Sequence, residues 1–154
     1  MIKVNVKIGS KPWYKKIKNS KSYFSLKLKK ISKKIYYLKK KNITFTIFLT
    51  NSITMKKLNK KFRNKNRYTD VLSFPNFSIK NLKLPKEKNI YIGDIAVCYQ
   101  IINKRSKNSN FKLEFDKAWV HGFLHLLGFD HMKNKDYFKM NKIENKILSS
   151  FEPN

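Results

Sequence analysis

All three histidines of this 154-residue chain lie within one stretch of eleven residues, HGFLHLLGFDH, at positions 121–131. His121 and His125 are four residues apart, so a helix would carry both rings on one face with their Cβ atoms about 5–6 Å apart. Gly128 can end such a helix in a left-handed conformation, after which the returning chain brings His131 back to the same face. This spacing predicts a three-histidine metal site at the end of a helix.

The type of ligand indicates which metal the site would hold. Three imidazoles suit Zn²⁺, although nickel, copper or iron also accept such ligands, and we expect one zinc ion per chain. Three protein ligands leave a fourth position open, which is typical of catalytic zinc. The metalloprotease motif H-E-x-x-H has a glutamate base after its first histidine, where this chain has Gly122, so peptide hydrolysis is disfavoured.

Three further residues could belong to the site, but a simpler role is expected for each. Asp130 could accept a hydrogen bond from an imidazole, and the favoured alternative is a carboxylate that caps the turn. Trp119 is expected in the core, and Cys98 is expected to be a small buried apolar residue. Because Cys98 is the only cysteine, an intramolecular disulfide and a cysteine-based zinc ribbon are both excluded.

The net charge of +27 is extreme for a chain of this length. Of the 36 basic residues only three are arginines, which leaves 33 lysines; the arginines are Arg63, Arg67 and Arg105. Such a charge favours a polyanionic partner, either nucleic acid or an acidic membrane surface. The alternative is compositional drift towards lysine, asparagine and isoleucine, which would spread lysine over every exposed face.

Length and hydrophobicity predict one soluble domain spanning residues 1–154. An apolar content of 41% is sufficient to bury a core. No apolar run approaches the ~20 residues of a membrane-spanning helix. The N-terminal MIKVNVKIGSK alternates apolar and polar residues, unlike the apolar segment of a signal peptide. We therefore expect a cytoplasmic protein that does not associate with a membrane.

The pattern of apolar residues predicts the element order β-α-β-α-β-β-α-α-α. Alternating or β-branched segments indicate strands at 2–8, 43–50, 69–74 and 89–97. Helical spacing indicates helices at 13–38, from 51 or 52 to about 62, at 100–104, at 111–127 and at 136–148, with a loop at 76–89. In the last helix, the expected core contacts are Phe138, Ile143 and Ile147. This order favours an α+β fold, a small sheet covered by helices.

Three segments, in this order and spacing, resemble the bacterial YbeY-type endoribonucleases, the rRNA maturation factors. They are LNKKFRNKNRYTDVLSFP (58–75), IGDIAVCYQ (92–100) and HGFLHLLGFDH (121–131). The resemblance extends from about residue 46 to residue 131. It implies an α+β fold with a four-stranded mixed sheet and a zincin-like metal site on a helix.

The resemblance also implies roles for individual residues. His121, His125 and His131 would bind zinc. Arg63 would be the catalytic basic residue near the metal, binding the scissile phosphate through a planar fork that lysine lacks. The alternative for Arg63 is a surface charge at the end of a helix. Tyr68 stands where the family usually has proline.

The implied activity is zinc-dependent, single-strand-specific endoribonuclease cleavage in 16S rRNA 3′-end maturation and late ribosome quality control. The partners would be single-stranded RNA, rRNA and ribosomal particles, with the oligomeric state left open. Two alternatives remain. One is a ribosome-associated RNA-binding assembly factor with a structural zinc, and the other is a zinc hydrolase of another ester or amide.

Overall fold

A mixed four-stranded sheet organises the described part of the computed structural model, which covers residues 1–38, 40–78 and 84–152. The strands lie in the order β1-β2-β4-β3; they are β1 (Ile2–Ile8), β2 (Asn42–Thr50), β3 (Val71–Pro75) and β4 (Asn89–Cys98). β1 and β4 both pair with β2 in parallel, and β3 pairs with β4 antiparallel. β2 and β4 occupy the centre, and their long apolar runs are typical of strands covered on both faces. The predicted four strands and the α+β class are confirmed.

Six α-helices pack around this sheet within the described residues. They are α1 (Pro12–Lys16), α2 (Ser20–Lys34), α3 (Ser52–Arg63), α4 (Tyr99–Arg105), α5 (Phe111–Leu126) and α6 (Asn134–Ser149). Short 3₁₀ turns at Tyr36–Leu38 and Ser106–Asn108 follow α2 and α4. No helix of the described ranges has the length and apolarity needed to span a bilayer.

The prediction of a single helix over 13–38 was wrong. The chain breaks at residues 17–19, where Asn19 takes an extended conformation and its side chain accepts a hydrogen bond from the backbone N–H of Ser22. Asparagine is a favoured N-cap residue, so α2 begins here as a separate helix. The apolar spacing persisted across the break because Trp13, Ile17 and Phe24 all reach the same core.

The expectation for the last helix was wrong at one position. α6 buries Met140 and Ile147, with Ile143 partly buried, but Phe138 is 68% exposed. Residues two apart on a helix do not share a face, so a stripe that buries Met140 turns Phe138 towards solvent. There its ring packs edge-on against that of Tyr137, 5.8 Å between centroids.

The third strand begins two residues later than predicted, because Asp70 forms a turn before it. The Asp70 carboxylate accepts hydrogen bonds from the Val71 N–H (2.8 Å), the Thr69 hydroxyl (3.0 Å) and the Arg105 guanidinium (2.6 Å). Burial acts to raise the pKa of Asp70, but Arg105 and these hydrogen bonds hold it below its usual value. The turn therefore carries a charged carboxylate that ties the start of β3 to the end of α4.

α5 is the most buried helix and places the histidine-bearing segment against the sheet. Trp119 is fully buried in it, and Cys98 is buried at the end of β4, as expected for both. Gly122 faces the sheet so closely that an added Cβ would lie 2.9 Å from the Ile95 side chain and 3.0 Å from that of Val71. The hydroxyl of Ser73 donates to the Gly122 carbonyl at 3.0 Å. Because Gly122 has no side chain, α5 can approach β3 this closely.

A buried polar cluster fixes α5 to α2. Asp116 is 5% exposed and accepts hydrogen bonds from the hydroxyl of Tyr23 (2.7 Å) and the indole N–H of Trp119 (2.8 Å). It also forms an ion pair with Lys27. Burial lowers the pKa of Lys27, although the Asp116 carboxylate opposes this. With three donors, the buried carboxylate is satisfied, so it stabilises the position of α5 rather than weakening the core.

Candidate metal centre

The three histidines converge at the C-terminal end of α5. One nitrogen from each imidazole lies within 4.8 Å of the others, and Nε2 of His121 is 3.1 Å from Nε2 of His125. The ring of His131 lies 5.6 Å from that of His121 and 5.0 Å from that of His125 between centroids. The predicted grouping is confirmed: these three side chains could hold a metal ion.

The turn that returns His131 to the helix is built on Gly128. The N–H of Gly128 donates to the carbonyl of His125 and the N–H of Phe129 to the carbonyl of Leu124, both at 3.0 Å. This pair of bonds is the Schellman motif, which requires a left-handed residue, and Gly128 has φ = +86°. The next residue, Phe129, is 5% exposed and packs into the core. The Schellman motif at Gly128 and the buried side chain of Phe129 therefore direct the chain so that His131 returns to the other two histidines.

Two acceptors outside the histidine set orient the imidazoles. Nδ1 of His125 lies 2.9 Å from the Phe129 carbonyl oxygen, so it carries the proton and leaves Nε2 free as a donor to a metal. Nδ1 of His121 lies 3.4 Å from a carboxylate oxygen of Glu144 on α6. The sequence analysis predicted neither the Phe129 carbonyl nor Glu144 as an acceptor. For Glu144 the only signal in the sequence is its position next to Ile143, on the side of α6 that faces the protein.

Asp130 does not contact an imidazole by hydrogen bonding. Its carboxylate accepts the backbone N–H of His131 at 2.7 Å, which is the capping role that was favoured for it. The bond stabilises the chain direction immediately before the third histidine. Asp130 therefore shapes the turn, whereas the Phe129 carbonyl and Glu144 supply the acceptors.

The electrostatics of the cluster favour a neutral imidazole at His125. Burial, together with the neighbouring rings of His121 and His131, lowers the pKa of His125 to about 4, although its bond to the Phe129 carbonyl opposes the shift. At neutral pH this ring is therefore uncharged, which is the state that binds a metal.

The donor set fits a zinc ion. Two nitrogens on one tetrahedral zinc, with Zn–N bonds of ~2.0–2.1 Å, lie about 3.3 Å apart, close to the separation of the His121 and His125 Nε2 atoms. All three donors are imidazole nitrogens, and two of the rings already have an acceptor at Nδ1. Such acceptors are the usual companions of histidine ligands.

The histidines open into a cavity of about 980 Å³ whose wall includes all three arginines of the chain. Arg63 is the last residue of α3, and its guanidinium donates to the Ser73 carbonyl at 3.3 Å. Arg63 and the histidines thus line the same cavity. For Arg67 and Arg105 the sequence predicted no individual role. Both arginines line the cavity, and Arg105 forms an ion pair with Asp70.

A family comparison and individual known proteins relate this chain to the same family. The family described as Endoribonuclease YbeY matches residues 10–152. Endoribonuclease YbeY of Pelagibacter ubique is 48% identical over 149 residues, which is 96% of this chain and 94% of that protein. Endoribonuclease YbeY of Buchnera aphidicola subsp. Acyrthosiphon pisum is 43% identical over 79% of this chain and 83% of that protein.

A solved structure extends the relationship to the fold. The solution structure of TM1509 from Thermotoga maritima aligns with a TM-score of 0.56 and 25% identity, covering 98% of this chain and 91% of that one. The family match includes the segment that forms the histidine cluster and the helix that supplies Glu144. The chain is therefore a member of the YbeY endoribonuclease family.

Proposed function

We propose that this protein is a zinc-dependent, single-strand-specific endoribonuclease. Its proposed role is 16S rRNA 3′-end maturation and late ribosome quality control in the cytoplasm, with rRNA and ribosomal particles as partners and residues 1–154 acting as one domain. The observation that carries the proposal is the meeting of three imidazoles and Arg63 in one cavity. Membership of the endoribonuclease family supports RNA as the substrate.

The metal would be held by His121, His125 and His131. Zinc bound there would supply a Lewis acid for the phosphodiester and a means of acidifying water. The protein contributes a neutral imidazole at His125, which burial favours. It also contributes orientation, because the Phe129 carbonyl and Glu144 engage the Nδ1 atoms and leave the other ring nitrogens directed towards one another.

Arg63 would bind the scissile phosphate. One of its terminal nitrogens is engaged by the Ser73 carbonyl, which fixes the direction of the guanidinium, while the side chain remains exposed to the cavity. The other N–H groups of the planar fork are then available for two phosphate oxygens. Held in this way, the charge would offset the negative charge that develops on the phosphate as the bond breaks.

The alternative of a structural zinc receives less support from the packing. His121 and His125 are only half-buried, and His131 is exposed. A site at the surface end of a helix is not needed to complete the core, so metal removal should leave most of the fold intact. A zinc hydrolase of another ester or amide would have no evident use for three arginines around its site.

A substrate panel tests the proposal. Zinc-loaded protein is incubated with single-stranded RNA, duplex RNA, single-stranded DNA and casein, beside His121→Ala as the control for metal-dependent cutting. We expect internal cleavage of single-stranded RNA alone, lost in the variant. Cleavage of another substrate class, or equal cutting of RNA by His121→Ala, would contradict the proposal. Unfolding of the protein on metal removal, followed by circular dichroism, would instead support the structural-zinc alternative.

A further inference from the structure

Two exposed aromatic rings belong to the wall of the cavity. Tyr68 is 50% exposed and Phe77 is 39% exposed, and both line the cavity that contains the histidines. Within the described part of the chain, neither ring stacks on another ring, and the Tyr68 hydroxyl forms no hydrogen bond. Part of each side chain is therefore accessible to a flat ligand that enters the cavity.

Two other exposed rings of the described residues have contacts that Tyr68 and Phe77 lack. Phe62 packs edge-on against Phe74 at 5.1 Å between centroids. The hydroxyl of Tyr91 is hydrogen-bonded to Thr46 at 2.8 Å and to Asp94 at 2.7 Å. Scattered exposed apolar residues are normal on a protein surface and need no explanation. What distinguishes Tyr68 and Phe77 is that both line the cavity that also contains the histidines and the three arginines.

Tyr68 follows directly after a segment that is positively charged and firmly anchored. Lys65 and Arg67 line the same cavity, and both side chains are exposed. The side-chain amide of Asn59, only 2% exposed, donates to the carbonyl of Arg67 at 2.8 Å. The buried Asn59 amide therefore fixes the backbone of Arg67, the residue immediately before Tyr68. This hydrogen bond restricts the position of the backbone that carries the Tyr68 ring.

Positive side chains next to free aromatic rings are the combination that binds single-stranded nucleic acid. Cationic groups follow the phosphates, and bases stack on the rings with little regard to sequence. We propose that Tyr68 and Phe77 form a base-stacking subsite, each taking one unpaired base of an RNA strand whose phosphates contact Lys65 and Arg67. In a duplex the base faces are already covered, so the subsite would contribute to selection of single strands. This inference rests on the proposed function.

The test measures binding separately from cleavage. The probe is a ten-nucleotide single strand of 2′-O-methyl RNA, with gel analysis confirming that it remains intact, and affinity is followed by fluorescence anisotropy on the full-length protein. We expect Tyr68→Ala and Phe77→Ala each to weaken binding by roughly 5- to 100-fold. Tyr68→Phe keeps the ring and should bind as the wild type, whereas Tyr68→Leu keeps apolar bulk without the ring and should resemble Tyr68→Ala.

Matched controls separate stacking from charge and from folding. Tyr14 is 59% exposed and outside the cavity lining, so Tyr14→Ala should leave affinity unchanged. Inorganic polyphosphate has charge but no bases, and the alanine variants at the two rings should bind it as tightly as the wild type does. Equal affinity of the wild type and both alanine variants for the RNA probe would overturn the inference. Lost affinity for polyphosphate as well would also overturn it, because the change would then not concern bases.

The outcome is distinguishable from failure of the proposed function. If the rings prove necessary for binding but no RNA is cut in the substrate panel, the subsite stands and the nuclease assignment fails. If RNA is cut in a zinc-dependent way while both ring variants bind normally, the nuclease assignment stands and the subsite is wrong.

Discussion

A carboxylate oxygen of Glu144 lies 3.4 Å from Nδ1 of His121, although the two residues are 23 positions apart and belong to different helices. A carboxylate at this position favours the tautomer with hydrogen on Nδ1 and leaves Nε2 free for a metal. α6 therefore takes part in the candidate metal centre without supplying a ligand.

Replacing Glu144 should weaken zinc binding. Loss of such an orienting group typically costs roughly 10- to 100-fold in metal affinity, so we expect a decrease of that size for Glu144→Ala and a smaller one for Glu144→Gln, whose amide oxygen still accepts. Competition with a chromophoric chelator measures the affinity. Asp136→Asn is the matched control, because it removes a carboxylate from the first turn of the same helix, away from the cavity lining. Unchanged affinity in Glu144→Ala would show that the carboxylate does not orient the ring.

The metal content follows from the number of clustered donors. Elemental analysis of purified protein should find about one zinc per chain, because the three imidazoles form the one group of possible metal ligands found in the described residues. His125→Ala should lose the ion, since two remaining ligands hold zinc poorly. Full retention of zinc by that variant would rule out the three-histidine site.

Arg63→Lys should separate charge from geometry. The variant keeps the positive charge, so the decrease of RNA affinity with salt should have the same slope as in the wild type. The cleavage rate should nevertheless fall at least about tenfold, because an ammonium group cannot grip two phosphate oxygens at once. Single-turnover cleavage of a labelled RNA measures the rate. Lys60→Arg, an exchange at an exposed position in the last turn of the same helix, is the control and should change neither quantity.

Gly122→Ala should destabilise the protein. An added methyl group would meet the side chains of Ile95, Ser73 and Val71 at 2.9–3.0 Å, and overpacking of this kind costs typically ~1–3 kcal/mol. Alanine recovers up to ~1 kcal/mol in helix propensity, so we expect a net loss of about 1 kcal/mol or more in the free energy of unfolding. Chemical denaturation measures it, with Lys112→Ala at an exposed position of α5 as the control. A more stable Gly122→Ala would mean that α5 and β3 can separate without penalty.

The stability of the metal-free protein should depend on pH through His125. Its pKa in the folded protein is about 4, below the value of ~6.5 expected when unfolded. Between these values the unfolded chain binds more protons, so stability should decrease as the pH falls from about 6.5 towards 4. Denaturation in the presence of a chelator at several pH values tests this. His125→Gln should show a shallower decrease over this window, and an identical pH dependence would contradict the assignment.

The sequence by itself determined the features that depend on neighbouring residues. The spacing of His121 and His125, the glycine stop and the return of His131 involve eleven consecutive residues and a backbone motif whose hydrogen bonds close within six of them. Alternation similarly placed β1, because the two faces of a strand are distinguished by a period of two, and β-branched apolar segments indicated the central strands. Local hydrogen bonds and periodic burial explain why these predictions were confirmed.

Only the tertiary structure decided which distant segments meet. β4 pairs between β2 and β3, α3 delivers Arg63 to the cavity, and α6 brings Glu144 to His121. The break before α2 and the exposure of Phe138 likewise depend on which face of each helix the core accepts. Such contacts join residues tens of positions apart and follow from the packing of whole elements. The periodicity of one segment shows which of its faces is apolar, but not which element will cover that face.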